Sequence, residues 1–340
     1  MTAQEAIARV TAGGDLSRED AAAVMRQVMS GEVPPALMAG LLVGLRMKGE
    51  TVDEITGFAQ AMRACATRIE CRSAPLVDTC GTGGDGSGTF NISTAASFVA
   101  AGAGTRVAKH GNRAASSHCG SADVLEALGV NIEAPPETVA RCIDEVGLGF
   151  LFARNLHPAM GHAAGVRREL GVRTVFNILG PLSNPAGATR QVLGVFDGAL
   201  VPTMARVALA LGAERAYVVH GLCGLDELST LGPSQVAEVR DGAISTYEVA
   251  PEDFRLTRAS AADLAGGDPE RNAEVLRSVL EGARGPCRDI VVLNAAAAIA
   301  SGGLADDIAA GIPLAQESID TGGALNKLEA LKELSHRGSR

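Results

Sequence analysis

"DTCGTGGDGSGTFNIST", Asp78 to Thr94, decides how the rest of the chain reads. The short β-type run "PLVDT" enters it, and "STAASFVAAGAG" leaves it with helical character. Five glycines fall between Gly81 and Gly88. Glycine loses the most conformational freedom on ordering, so something must offset the cost of fixing this loop. Strand, glycine loop and helix N-terminus together favour an anion, because free N–H groups and the positive helix end point the same way. The spacing is neither G-x-x-x-x-G-K-[ST] nor G-x-G-x-x-G, so neither a nucleotide P-loop nor a dinucleotide fingerprint follows. Taken alone, the loop is either a phosphate cradle or a flexible strand-to-helix turn.

Downstream, "TRVAKH", "LGFLFA", "QVLGVF" and "RAYVVH" alternate with helical stretches. Such alternation predicts an α/β domain with a central, mostly parallel sheet. Upstream, the first 66 residues read as four short helices. Ser17 with Asp20 and Thr51 with Glu54 form N-cap pairs, and Pro34–Pro35 open a third helix. "HPAMGHAAGVRRELGVRTVFNILGPLSNPA" (157–186) interrupts the strand rhythm with another helical piece. It is expected to pack with the N-terminal helices. The expected organisation is therefore a small discontinuous helical domain, 1–70 with roughly 159–187, and a larger α/β domain, 71–158 and 188–340. The tail after Gly266 reads as two or three further helices.

Net charge is −9, with no lysine or arginine run, which argues against nucleic acid and anionic membranes. Only ten residues are aromatic and none is Trp, so no stacking platform for single strands is expected. Seven cysteines without a C-x-x-C spacing point to a reducing cytoplasm, not to disulfides or zinc. The opening "MTAQEAIARV" has no signal-peptide character, and no apolar run is long enough to span a membrane.

Two further loops carry chemistry. "KHGNRAASSHCGSADVLEAL", Lys109 to Leu128, gathers Lys109, His110, Asn112, Arg113, Ser116 and Ser117 between a strand and a helix starting near Ser121. Two anion cradles suit a ligand with phosphates at both ends. In "HGLCGLDELS", Asp226 and Glu227 follow a buried strand. Adjacent carboxylates there form either a solvated turn or, beside phosphate loops, an Mg²⁺ site to which the Ser93 hydroxyl adds a ligand. His157 and His162 stand five apart with no third ligand, which excludes zinc. No base accompanies Cys80, Cys119 or Cys223, so they read as packing residues.

The motifs "GTGGDGSGTFNIST", "KHGNRAASSHCGSADVLEALG", "HPAMGHAAGVRRELGVRTVFNILGPLSNPA" and "GLDELS", in this order and spacing, resemble the anthranilate phosphoribosyltransferase family over essentially the whole chain. The resemblance implies the fold of the class III nucleoside phosphorylases and phosphoribosyltransferases, and a homodimer formed through the helical domains. It implies transfer of the phosphoribosyl group of phosphoribosyl pyrophosphate to the amine of anthranilate, with release of pyrophosphate, in tryptophan biosynthesis. No covalent protein nucleophile is required.

Carried over residue by residue, the resemblance gives Gly81, Gly84 and Asp85 to the pyrophosphate, and Thr89, Asn91, Ile92, Ser93 and Thr94 to phosphate. Lys109, His110, Gly111, Asn112, Arg113, Ala114, Ala115, Ser116, Ser117 and Ser121 would wrap the phosphoribosyl part. Gly81, Asn112 and Arg167 would face anthranilate, with Arg167 on its carboxylate. Ser93, Asp226 and Glu227 would hold two Mg²⁺ ions. The chain departs from the family pattern at His118, Cys119, Gly161 and Cys223, which bears on substrate affinity and acceptor choice. The rivals are a phosphoribosyltransferase for another aromatic acid, a pyrimidine nucleoside phosphorylase-like enzyme and a non-catalytic nucleic-acid binder. Arg167 and the full "KHGN" favour the transferase over the phosphorylase.

Overall fold

A computed structural model describes residues 1–114 and 118–337. The expected ligand residues Ala115, Ser116 and Ser117 lie outside the described residues.

Helices α1 (Ala3–Thr11), α2 (Arg18–Met29), α3 (Pro35–Lys48) and α4 (Val52–Cys65) form the N-terminal unit. Ser17 caps α2 by accepting from the Asp20 N–H, and Thr51 with Glu54 closes a full capping box on α4. Glu54 is wholly buried, and three donors satisfy it: the N–H groups of Leu16 and Thr51, and the Lys48 ammonium. Val24, Leu41, Leu45 and Phe58 fill the shared core.

The α/β part begins with β1 (Val77–Asp78), α5 (Ile92–Gly102) and β2 (Val107–Gly111). Next come α6 (Ser121–Ala127), α7 (Pro136–Arg141), β3 (Leu148–Phe152) and the single turn α8 (Ala153–Leu156). Helices α9 (Gly161–Leu170) and α10 (Phe176–Leu179) follow, and α9 packs on α2 and α3. Its Ala163 and Val166 join the core of the N-terminal helices. The chain then returns to the sheet through β4 (Arg190–Gly194), α11 (Val201–Ala210) and β5 (Arg215–Gly221).

The sheet has seven strands in the order β3-β2-β1-β4-β5-β6-β7. The first five are parallel. The last two, β6 (Ser234–Arg240) and β7 (Ala243–Val249), form an antiparallel hairpin. Sequence alternation did not single out that hairpin. Its turn is Asp241–Gly242, both at positive φ, as a two-residue hairpin turn requires. Among the described residues the tail contains four helices, more than the two or three expected: α12 (Pro269–Leu280), α13 (Pro286–Ser301), α14 (Ile308–Asp320) and α15 (Gly323–Ser335). α13 is buried along Ile290–Ser301 and packs on α5 and α14. On the other face, α11 covers β5 and β6 and touches α4. Among the described residues, no helix is long and apolar enough to cross a membrane.

Candidate active site

The strand order sets the place. From β1 the chain steps outward through β2 to β3, then returns to the other side for β4 and β5. Ligands of open α/β sheets bind outside the carboxyl ends of the strands at such a reversal. The glycine loop leaves β1 there, Lys109 and His110 lie near the end of β2, and Asp226–Glu227 follow β5.

Hydrogen bonds draw these segments together. The Gly83 N–H donates to Asp226 Oδ2 at 2.7 Å, and the Thr82 N–H to the Gly194 carbonyl at 2.8 Å. A Cβ on Gly81 would sit 2.9 Å from Asp226 Oδ2 and 3.2 Å from the Gly194 carbonyl oxygen, so no larger residue fits without a shift. Asp85 turns back on its own loop, accepting from the Ser87 N–H at 3.1 Å and the Asp226 N–H at 3.4 Å. Ser93 donates its N–H to Glu227 Oε1 at 3.1 Å. A protein carboxylate therefore takes one of the N–H groups at the start of α5.

The electrostatics are unusual. Burial pushes Asp226 up to about 7 and Glu227 up to about 8; Asp85 repels the first, and Asp226 repels the second. Lys109 is buried beside them, and burial lowers its pKa. Its ammonium donates to Thr79 Oγ1, the Thr79 carbonyl and Ser93 Oγ at 3.2 to 3.3 Å. All three acceptors are neutral. Behind it, Asp78 accepts from Asn184 Nδ2 at 2.7 Å and the His110 N–H at 3.1 Å, and burial raises it to about 6. Burial also holds the Cys80 thiol protonated, which agrees with a packing role.

Two hard carboxylates and a hydroxyl make a donor set suited to Mg²⁺. Among the described residues no group of three or more His, Cys, Asp or Glu could hold a metal ion. An ion on Asp226, Glu227 and Ser93 would complete its shell with ligand phosphate oxygens and water.

The remaining expected residues divide into groups. Arg113 is engaged by Asp123 at 2.9 Å and Glu126 at 2.8 Å and lies over the Phe152 ring. Its charge is matched within the protein. Asp123 Oδ2 also accepts from the N–H groups of Ala114 and Gly120, both at 2.9 Å, joining the two sides of the second loop. Asn112 offers its carbonyl to the Ala122 N–H and the Ser121 hydroxyl, and Gly111 leaves no room for a Cβ beside that hydroxyl. Ile92 and Thr94 are buried in α5, and Thr89 forms a β-bridge with Ala265. Both ends of the Asn91 amide meet protein groups.

Arg167 stands on α9 with its guanidinium 5.3 Å from the Phe176 ring centroid. No carboxylate pairs with it among the described residues, and burial lowers its pKa. Among the described residues no hydrogen bond joins its side chain to Ser93, Lys109, Asp226 or Glu227. Instead Arg173, just beyond α9, donates to the Gly84 carbonyl and lies 4.0 Å from the Phe196 ring centroid, tying this helical segment to the glycine loop.

Sequence reasoning missed Asp78, Asp123, Arg173, Asn184 and Asn272. It set His157 aside after excluding zinc. His110 and His157 lie with ring centroids 5.1 Å apart and planes tilted by 51°, and neither Nε2 has a partner among the described residues.

Comparison with known proteins places this geometry. Residues 73–325 match the "Glycosyl transferase family, a/b domain" model, and residues 4–66 its helical bundle domain. An anthranilate phosphoribosyltransferase of Moorella thermoacetica is 56% identical over 325 residues, covering 96% of each chain. The crystal structure of the Thermus thermophilus enzyme superposes with a TM-score of 0.93 at 50% identity, over 97% of this chain and 99% of that one. The Saccharomyces cerevisiae enzyme in complex with PRPP and Mg does so with a TM-score of 0.90 at 28% identity, over 98% of both. With these motifs in register and both parts of the molecule covered, the chain belongs to the anthranilate phosphoribosyltransferase family.

Proposed function

We propose that the crevice outside β1, β4 and β5 transfers the phosphoribosyl group of phosphoribosyl pyrophosphate to the amine of anthranilate, releasing pyrophosphate in tryptophan biosynthesis. The observation that carries this reading is the pair of half-buried carboxylates, Asp226 and Glu227, bonded to the glycine loop and to the start of α5. They have no ion-pair partner among the described residues, a need that a metal-bound polyphosphate meets. The yeast relative is described with PRPP and Mg, which supports the donor and the metal here.

Mg²⁺, two ions in this reading, would neutralise the leaving pyrophosphate when bound to Asp226, Glu227 and Ser93. Lys109, held between Thr79 and Ser93, places its amino group beside the leaving pyrophosphate. Gly81, Gly84 and Asp85 approach the pyrophosphate, and Thr89, Asn91, Ile92, Ser93 and Thr94 form the wall on which phosphate rests. His110 to Ala114 and Ser121 enclose the phosphoribosyl part. Arg167 pairs the anthranilate carboxylate bidentately, and Asn112 faces the ring. The amine then attacks the anomeric carbon as pyrophosphate leaves. Orientation of two bound substrates supplies much of the rate, and no protein nucleophile takes part.

The two-domain division belongs to the same reading, with 1–70 and 159–187 on the acceptor side. So do a cytoplasmic location and a homodimer through the helical unit, for which exposed Met47 and Val172 offer apolar surface.

The test is loss of anthranilate fluorescence on adding phosphoribosyl pyrophosphate and Mg²⁺, run beside other aminobenzoates and hydroxybenzoates. Turnover of anthranilate alone is expected. Preference for another aromatic acid, or phosphorolysis of a nucleoside, would overturn the reading.

A further inference from the structure

The segment "LAGGDPERN", Leu264 to Asn272, entered no functional assignment, yet it lies across the glycine loop. Three backbone contacts fasten it. The Phe90 N–H donates to the Leu264 carbonyl at 3.1 Å, the Gly266 N–H donates to the Gly88 carbonyl at 2.8 Å, and Thr89 bridges Ala265. The approach is close: a Cβ on Gly266 would lie 2.7 Å from the Thr89 carbonyl oxygen and 2.8 Å from the Phe90 nitrogen.

Asn272, on the first turns of α12, completes the attachment. It is 1% exposed. Its Oδ1 accepts from the Gly267 N–H at 2.8 Å, and its Nδ2 donates to Asn91 Oδ1 at 2.9 Å. Asn91 Nδ2 in turn donates to the Cys119 carbonyl at 3.2 Å. Asn272 also hydrogen-bonds the Cys119 side chain. One buried amide thus fixes the end of the first phosphate loop against the end of the second. A ligand held by both loops needs their separation fixed, and nothing else described bonds Asn91 to the second loop.

We infer that Asn272 is a positioning residue for the phosphoribosyl donor, acting through Asn91, and that Leu264–Gly267 is the strap that carries it. The inference rests on the donor-site reading of the glycine loop. Loss of a buried, fully satisfied hydrogen-bond chain is worth about tenfold in an equilibrium constant.

The test is steady-state kinetics of Asn272→Asp, Asn91→Ala, their double variant and Gly266→Ala. Each substrate is varied with the other and Mg²⁺ saturating. Asn272→Asp preserves volume and the acceptor for Gly267 while removing the donor to Asn91. Asn272→Ser carries the test if the charged variant does not fold. The expected result is a donor KM raised about tenfold in Asn272→Asp and in Gly266→Ala. The anthranilate KM should stay within about twofold, a smaller change than one ordinary hydrogen bond makes. The double variant should be no worse than Asn91→Ala, because the two residues act as one unit. A normal donor KM in Asn272→Asp beside a raised one in Asn91→Ala would overturn the inference and leave the donor site standing. Equal rises in both KM values would reduce Asn272 to a structural residue. An unchanged donor KM in Asn91→Ala would remove the donor-site reading and the inference with it.

Discussion

Asp226 and Glu227 stand in surroundings that disfavour their charge. They are adjacent, half-buried and raised toward neutrality, so the fold holds them against their own preference for water. Their bonds to the Gly83 and Ser93 N–H groups offset only part of that. Asp226→Asn with Glu227→Gln should therefore leave thermal stability at pH 8 equal or higher, while Mg²⁺-dependent turnover falls by at least about a hundredfold. A melting curve and a Mg²⁺ titration of the rate check both halves. Turnover retained at saturating Mg²⁺ would remove the metal assignment. Arg167, proposed for the acceptor carboxylate, is a half-buried residue with its guanidinium 5.3 Å from the Phe176 ring centroid. Arg167→Ala should raise the anthranilate KM and barely move the donor KM. Lys should rescue in part, since an ammonium is a point charge and not a planar fork. Equal rises in both constants would mean that Arg167 shapes α9 instead.

Among the elements, the glycine loop is anchored at its two ends and, between them, by Gly83 and Asp85 on Asp226. Thr82 is tied to β4 through Gly194, and Gly88 to the Leu264–Gly267 strap. Between these anchors the backbone is largely exposed, and Arg173 is itself an exposed side chain. Ordering of Gly83–Ser87 by the donor is the expected consequence, because fixing backbone costs ~1–2 kcal/mol per residue. Gly84 has φ +75, a conformation that disfavours any side chain by roughly 1–2 kcal/mol. Gly84→Ala should thus weaken donor binding about tenfold and leave the melting temperature of the empty protein nearly unchanged. Hydrogen exchange across Gly81–Thr94, with and without donor plus Mg²⁺, reads this directly. Strong, equal protection in both states would mean a preformed cradle. The loop itself was legible because its chemistry is backbone chemistry, written in glycines and the helix that follows. The parallel strands were legible as apolar runs such as "RAYVVH". The β6–β7 hairpin carried its own signal in Asp241–Gly242, which the polar strand β7 obscured. Asn272 was not legible: nothing local to "PERN" says which loop will meet it. Asn272 finds its partner 181 positions away. Arg173, 89 positions from Gly84, is the same case.

Across the whole molecule, the N-terminal helices do not form a separate body on a linker. Their core runs through α9 into Val195, Val201, Val218 and Val239, so one face of the sheet and the helical unit share apolar side chains. His110 and His157 sit where the piece that follows β3 turns back toward β4. His110 is fixed by the Gly180 carbonyl at 3.1 Å from its Nδ1, and both rings are buried. Burial lowers His110 to about 3 and His157 to about 4, so the native state holds both neutral. In the unfolded chain they take protons near 6.5. Between those values the unfolded state binds more protons, so this contribution to stability is lost as pH falls below about 6.5. Each histidine then contributes at most about 1.4 kcal/mol per pH unit. Asp78, Asp226 and Glu227 are raised carboxyls and act in the opposite direction, gaining relative stability on acidification. The parent's pH profile therefore mixes two opposed effects, and the informative quantity is a difference. Urea unfolding of the parent and of His157→Gln at pH 8, 7, 6 and 5 isolates one histidine, because the carboxyl contributions cancel. Any deficit of the variant should be constant above pH 7 and shrink by about 1.4 kcal/mol per unit below 6.5, until about pH 4. Parallel profiles would mean that His157 takes up its proton in the native state near its ordinary value. The seam between β2 and the Gly180–Ser183 turn would then be open to water, contrary to the packing described above.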